Sequence, residues 1–267
     1  GAKYIVSSQI INKYKKKTIK VKNEITFLNQ YAKLKRDSSL AKIIAITGSA
    51  GKTSLKDMIK QLLTNFGSTY SSPRSFNNHF GVPISLSNLS AENKYGVFEV
   101  GMSKSGEIKN LCKMIKPHIG IITNIGEAHI SNFKNIYGIA QAKAEIIDTI
   151  KEFGTIILNR DDKFFKFLQK KAKLKKLKII TFGKDKRSNI YPLKVIKKKT
   201  TTNLSLMVKG QIIDLEIKNI NINNVLASLA ILKEFNLKLS GLKKFFQNYE
   251  PTEGRGKIHF IFRYNKR

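Results

Sequence analysis

Eight residues, Thr47-Gly48-Ser49-Ala50-Gly51-Lys52-Thr53-Ser54, stand between a short apolar run and a stretch of helical period, and they constrain the fold more than any other feature. Before them, Lys42-Ile43-Ile44-Ala45-Ile46-Thr47 is largely β-branched and ends in a Gly-rich turn, which reads as a strand. After them a helix is expected from about Lys52 to Phe66. A strand that turns through glycines into a helix supplies what a phosphate needs: convergent N–H donors, a helix N-terminus and a cation. Glycine permits close backbone approach, Lys52 can reach β- and γ-phosphates, and Thr53 can ligate magnesium. The spacing departs from the standard Walker A pattern, because the position five before Gly51 is Ile46.

The same strand–helix alternation continues along the chain. Tyr95–Val100, His118–Thr123, Thr155–Leu158 and Lys178–Phe182 read as further apolar strands, with helices expected at about 105–115 and 136–151. Apolar strands separated by helices imply an α/β fold of P-loop type, a mostly parallel sheet with helices on both faces. From 190 to 217 the period becomes strand-like without helices (191–196, 202–208 and 211–217), which predicts an antiparallel meander at the sheet edge. Helices at about 221–235 and 239–247 follow, and a strand is expected to begin at His259-Phe260-Ile261-Phe262. Residues 1–38 read as two short extended stretches, Lys3–Val6 and Thr18–Val21, around a Lys-rich turn, then a helix from about Glu24 to Lys35. That is too little to bury a core of its own.

Composition narrows the class. With 267 residues, 41% of them apolar, the chain can bury one large or two small cores. No run approaches ~18 consecutive apolar residues, so no membrane-inserted helix is expected. A single cysteine, Cys112, excludes an internal disulfide framework and fits a reducing cytoplasm; it reads as a small buried hydrophobe. The formal net charge of +32 suggests a polyanionic partner, yet only 7 of the 50 basic residues are arginine. Arginine is the preferred reader of bases and phosphates, and a lysine excess with abundant Ile and Asn follows AT-rich codon usage. Nucleic acid is therefore disfavoured as a partner, and basic stretches such as Lys170–Lys176 read as solvated helix faces.

Three further positions carry chemistry. Glu99 closes an apolar strand; alone it would read as a cap or ion-pair partner, but beside a phosphate loop a strand-end carboxylate can hold magnesium. Thr123-Asn124-Ile125-Gly126-Glu127-Ala128-His129 follows a third strand end facing the same crevice, which makes His129 a candidate. Lys143 lies on a helix in a lysine-rich chain, where composition and spacing single out nothing.

The run of motifs resembles the ATP-dependent Mur ligases of peptidoglycan synthesis over roughly residues 40–256. Thr47 to Ser54 is similar to their variant phosphate loop, which accounts for the departure from Walker A. Within the family, Ser75-Phe76-Asn77-Asn78-His79-Phe80-Gly81-Val82-Pro83 and Glu99-Val100-Gly101-Met102-Ser103-Lys104-Ser105-Gly106-Glu107-Ile108 resemble segments of the branch that adds D-alanyl-D-alanine. The resemblance implies that Lys52 and the loop amides bind ATP phosphates, that Thr53 and Glu99 hold one Mg2+, and that His129 ligates a second. It implies that Lys143 is carbamylated at that second metal, and that Asn77 and Asn78 bind substrate. Asn221 and Asn224 match a segment that touches adenine, with Ile220 where the family has histidine, and Arg255 matches an arginine near the γ-phosphate.

The partners so implied are UDP-N-acetylmuramoyl-tripeptide and D-alanyl-D-alanine, joined through an acyl phosphate by a monomer without membrane insertion. The family's three-domain plan implies that 1–38 is a remnant of the UDP-substrate domain, 39–250 the central ATP-binding domain, and 251–267 the start of a C-terminal domain. On that plan, residues 1–267 alone are expected to bind nucleotide weakly and not to ligate. The competing readings are another Mur-type ligase, such as a folylpolyglutamate synthase-like or other amino-acid-adding enzyme, a basic nucleic-acid-binding module, and an inactive gene product.

Overall fold

The computed structural model describes residues 2–251. The strand expected at 259–262, Arg255 and nearly all of the expected C-terminal segment 251–267 lie outside the described residues.

The strands are β1 (Ile5–Ser7), β2 (Thr18–Lys20), β3 (Lys42–Thr47), β4 (Thr69–Ser71), β5 (Tyr95–Glu99), β6 (Ile119–Ile122), β7 (Thr155–Asn159), β8 (Lys178–Phe182), β9 (Ile190–Lys197), β10 (Thr202–Val208) and β11 (Gln211–Ile217). The helices are α1 (Glu24–Asp37), α2 (Lys52–Thr64), α3 (Gly81–Ser87), α4 (Glu107–Ile115), α5 (Ile136–Thr149), α6 (Phe165–Leu174), α7 (Ile222–Glu234) and α8 (Leu242–Asn248). Short 3-10 turns cover Asn12–Lys17 and Ile130–Asn132. Among the described residues, nine strands form one sheet in the order β11-β10-β9-β8-β7-β6-β3-β5-β4; β1 and β2 pair separately. The strands from β4 to β9 run parallel, and β9, β10 and β11 form the expected antiparallel meander.

Alternation along the strands sorts side chains into two cores. Ile44 and Ile46 of β3 face α2, α7 and α8, whereas Ile43 and Ala45 face α3, α4 and α5. Because both faces are covered, β3, β5, β6 and β7 are almost wholly buried, which is why they read as continuous apolar runs. β4 and α3 were not legible as elements: β4 is three residues long, and α3 opens on Gly81 and Pro83 with no extended apolar period. Helix α6 was seen only through its lysines, and Lys170, Lys173, Lys175 and Lys176 are indeed exposed.

The first 21 residues bury little, and their 3-10 turn buries nothing. α1 instead docks on α3 and α4. Arg36, only 3% exposed, donates from Nε to the Ile115 carbonyl at 2.6 Å and from Nη2 to that of Lys116 at 2.8 Å. These carbonyls close α4, where Lys116 is left-handed, so a cation satisfies orphan acceptors at the negative end of a helix. With β3 at the centre and β5 and β6 beside it, the three loops leaving their carboxyl ends converge on one crevice.

Candidate active site

Thr47 ends β3 fully buried, and the chain then turns through Gly48 at φ +147 and Gly51 at φ +81. A Cβ on Gly48 would lie 1.9 Å from Thr123 Oγ1, so only glycine lets the loop pass the strand beside it. Gly51 begins α2 without a side-chain cap, leaving the first-turn amides of Lys52, Thr53 and Ser54 without intrahelical acceptors and pointing to the loop mouth. Lys52 Nζ donates to the Gly48 carbonyl at 2.9 Å and so folds over the loop.

The loop is braced from the side by the 123–126 segment. Thr123 Oγ1 donates to the Ala50 carbonyl at 2.7 Å, Ala50 N to Asn124 Oδ1 at 3.0 Å, and Ser49 N to the Asn124 carbonyl at 3.0 Å. Ser49 Oγ donates to the Gly126 carbonyl and accepts from its amide, at 2.9 and 2.8 Å. The amides of Ser49 and Ala50 are thus spent on bracing, and the donors left without a side-chain cap are those at the α2 N-terminus. That segment is tied down in turn by Asp162, which accepts from Ile125 N at 2.6 Å, and by Asn159, which donates to the Thr123 carbonyl at 3.2 Å.

Glu99 is 1% exposed at the end of β5. Its Oε2 accepts from Thr53 Oγ1 at 2.7 Å and its Oε1 from Asn77 Nδ2 at 2.7 Å. Ser75 Oγ lies 3.4 Å from Thr53 Oγ1. A carboxylate and a hydroxyl in contact beside a phosphate loop are the hard oxygen donors that magnesium takes, its remaining positions going to water and phosphate. Among the described residues no group of three His, Cys, Asp or Glu could hold a metal ion by itself. The donor set fits magnesium.

Beside these residues opens a cavity of about 490 Å3 lined by Lys52, Asn77, Asn78, His129 and Lys143, and by Glu107 and Asn110 of α4. Lys143 is 2% exposed; burial, and then the charge of Lys52, pull its ammonium down from 10.5 to about 7. His129 is exposed at the rim in a left-handed conformation, φ +65. Asn78 lines the cavity while its Oδ1 accepts from Gly81 N at 2.9 Å and so starts α3. The two asparagines of α7 divide: Asn224 is buried with Nδ2 3.4 Å from the Gly51 carbonyl, whereas the Asn221 side chain caps α7 by accepting from Asn223 N at 2.8 Å. Cys112 is wholly buried, and burial raises its thiol to about 12, so it acts as a small hydrophobe.

Sequence reasoning missed Glu145. It accepts from Ser105 Oγ at 3.1 Å, Gly106 N at 2.6 Å and Lys109 N at 3.0 Å, capping α4 from α5 because Gly106 offers no side chain. A carboxylate there ties the helix carrying Lys143 to the loop after Glu99. One signal was available: residues 139–147 are Ile-Ala-Gln-Ala-Lys-Ala-Glu-Ile-Ile, so Lys143 and Glu145 sit in an apolar helix with little polar face to occupy.

Comparison with known proteins agrees with this geometry. The family described as Mur ligase middle domain matches residues 46–232. The UDP-N-acetylmuramoyl-tripeptide–D-alanyl-D-alanine ligase of Rickettsia prowazekii is 34% identical over 261 residues, covering 95% of this chain and 58% of that protein. The ligase of that name from Buchnera aphidicola subsp. Baizongia pistaciae is 36% identical over 230 residues, covering 84% and 49%. Among solved structures, MurF from Acinetobacter baumannii superposes with a TM-score of 0.86 at 27% identity, over 97% of this chain and 57% of its own. The chain spans about half the length of the curated relatives it matches.

Proposed function

The chain belongs to the Mur ligase family, and from that premise we propose that it is the ATP-binding core of a ligase joining D-alanyl-D-alanine to UDP-N-acetylmuramoyl-tripeptide, with residues 39–250 as its central domain. The observation that carries this reading is the joining of Thr53, Asn77 and Glu99 beside a cavity that also holds Lys52 and Lys143. Asn77 and Glu99 come from the two segments that resemble the D-alanyl-D-alanine-adding branch, and their direct hydrogen bond favours it over other Mur-type ligases. Its named relatives at 34 and 36% identity support the same choice.

The terminal carboxylate of the tripeptide attacks the γ-phosphoryl of ATP, giving an acyl phosphate and ADP. The amine of D-alanyl-D-alanine then attacks the acyl carbon, forming the amide and releasing phosphate. The α2 amides and Lys52 hold the phosphates and draw off the charge that grows on the transferring group. Thr53 and Glu99 would hold one magnesium ion, and His129 with Lys143 a second, which supply the remaining positive charge. Lys143 suits that role once modified. Near pH 7 much of its amine is neutral; its lone pair forms an N–C bond to carbon dioxide, the proton leaves to solvent, and a carbamate results beside Lys52. Cys112 is free and buried, and among the described residues no helix is long and apolar enough to cross a membrane.

Calorimetric titration of ATP into the chain with Mg2+ or EDTA, beside Lys52→Ala, tests the site. Binding that strengthens with Mg2+ and is lost in Lys52→Ala is expected. Nucleotide binding indifferent to both would overturn the reading.

A further inference from the structure

Lys56 is among the largest fully buried side chains of the described residues, 0% exposed, on a helix otherwise buried through Leu55, Met58, Ile59, Leu62 and Leu63. A lysine in that setting needs a partner for its ammonium. Nζ donates to the Arg74 carbonyl and lies 3.4 Å from Asp57 Oδ1. Arg74 is itself held left-handed, φ +44, a conformation a non-glycine residue keeps only when its surroundings enforce it. Immediately after it come Ser75, against the Thr53 hydroxyl, and Asn77, whose amide fixes one oxygen of Glu99. Lys56 lies one turn beyond Thr53 on α2, so one helix face grips both ends of this chain of contacts.

We infer that Lys56 is a positioning residue: by anchoring the Arg74 carbonyl it fixes residues 74–77, and through Asn77 it fixes the Glu99 carboxylate opposite Thr53. It touches neither nucleotide nor metal. The inference rests on Thr53 and Glu99 being the magnesium oxygens of the proposed function. Removing an outer partner of a metal ligand commonly costs 10- to 100-fold in metal affinity, and one link further out the expected loss is roughly three- to tenfold.

The test compares wild type, Lys56→Met and Lys56→Arg. Methionine fills the same volume without charge, and arginine keeps a donor. ATP affinity is measured by calorimetry in Mg2+ and in EDTA, after circular dichroism has verified the fold. In EDTA the three are expected to agree; in Mg2+, wild type and Lys56→Arg gain alike while the gain of Lys56→Met is roughly three- to tenfold smaller. A full Mg2+ gain in Lys56→Met overturns the inference and leaves Lys56 a space-filling residue. If wild type shows no Mg2+ gain, the magnesium reading itself falls. The tether is then judged by hydrogen exchange over residues 72–80, where faster exchange in Lys56→Met upholds it and unchanged exchange overturns it. Should Lys56→Met fail to fold, Lys56→Gln, whose shorter amide cannot span to Arg74, is read in the same way.

Discussion

Replacing Gly48 with alanine tests whether the phosphate loop is held as tightly as its contacts indicate. The new Cβ would meet Thr123 Oγ1 at 1.9 Å and the Thr123 Cβ and backbone nitrogen at 3.1 Å. Thr123 is short and β-branched, and its hydroxyl is committed to the Ala50 carbonyl, so it cannot swing aside without giving up that bond. Forcing a non-glycine residue to φ +147 costs about 1–3 kcal/mol, and the lost hydrogen bond adds about 1 kcal/mol. Gly48→Ala should therefore destabilise the chain by roughly 2–4 kcal/mol, a large share of the ~5–15 kcal/mol that stabilises a typical domain. Urea unfolding followed by far-ultraviolet circular dichroism would measure this. Pairing it with Thr123→Ala separates the two contributions: with Oγ1 gone, Gly48→Ala should cost about 1 kcal/mol less than in wild type, leaving the backbone strain. Magnesium-dependent ATP affinity should fall with it, because the loop cannot move without Asn124 and Gly126. A Gly48→Ala chain within about 0.5 kcal/mol of wild type, or strict additivity with Thr123→Ala, would refute the steric account.

Lys143→Met should stabilise the fold while abolishing any role of the amine. The folded lysine titrates near 7 and the unfolded one near 10.5, so the unfolded chain binds the extra proton between them. Wild-type stability then climbs across that window by up to about 1.4 kcal/mol per pH unit. In carbon dioxide-free buffer the variant's advantage is expected to be greatest at pH 7 and to shrink by pH 9; a pH-independent difference contradicts it. His118 Nδ1 accepts from Ile43 N at 2.9 Å; burial, then the charges of Lys151, Arg36 and Lys42, lower it from 6.5 to about 4. The unfolded histidine takes up a proton first, so stability is full above about pH 6.5 and declines as pH falls toward 4. His118→Asn keeps an acceptor that does not titrate, and its urea midpoint should drop less than wild type between pH 7 and 5; equal drops contradict the assignment.

Much of the scaffold was written locally. Buried parallel strands are apolar throughout, and β3, β5, β6, β7 and β8 were legible within a residue or two at either end. The 47–54 loop was legible because its glycines, lysine and threonine stand at contiguous positions between a strand and a helix. Three-residue β4 and seven-residue α3 lacked the length in which a period can register. In the site, Glu99 was reachable from its place at a strand end and Glu145 was signalled by its apolar helix, whereas Asp162 and Lys56 were not reachable. A carboxylate that braces a distant loop carries the same local pattern as one in solvent.

The sequence by itself determined the α/β alternation, the glycine-rich loop between strand and helix, and the resemblance that named candidates from Thr47 to Arg255. Only the tertiary structure decided that Asn124 braces that loop and that Asn77 holds Glu99. It alone turned Lys143 and Lys56, two lysines among 43, away from water. Backbone conformation is set largely by neighbours in sequence, so pattern reveals it. The protonation and orientation of a side chain are set by what surrounds it in space, and those partners arrive from strands and helices dozens of residues away.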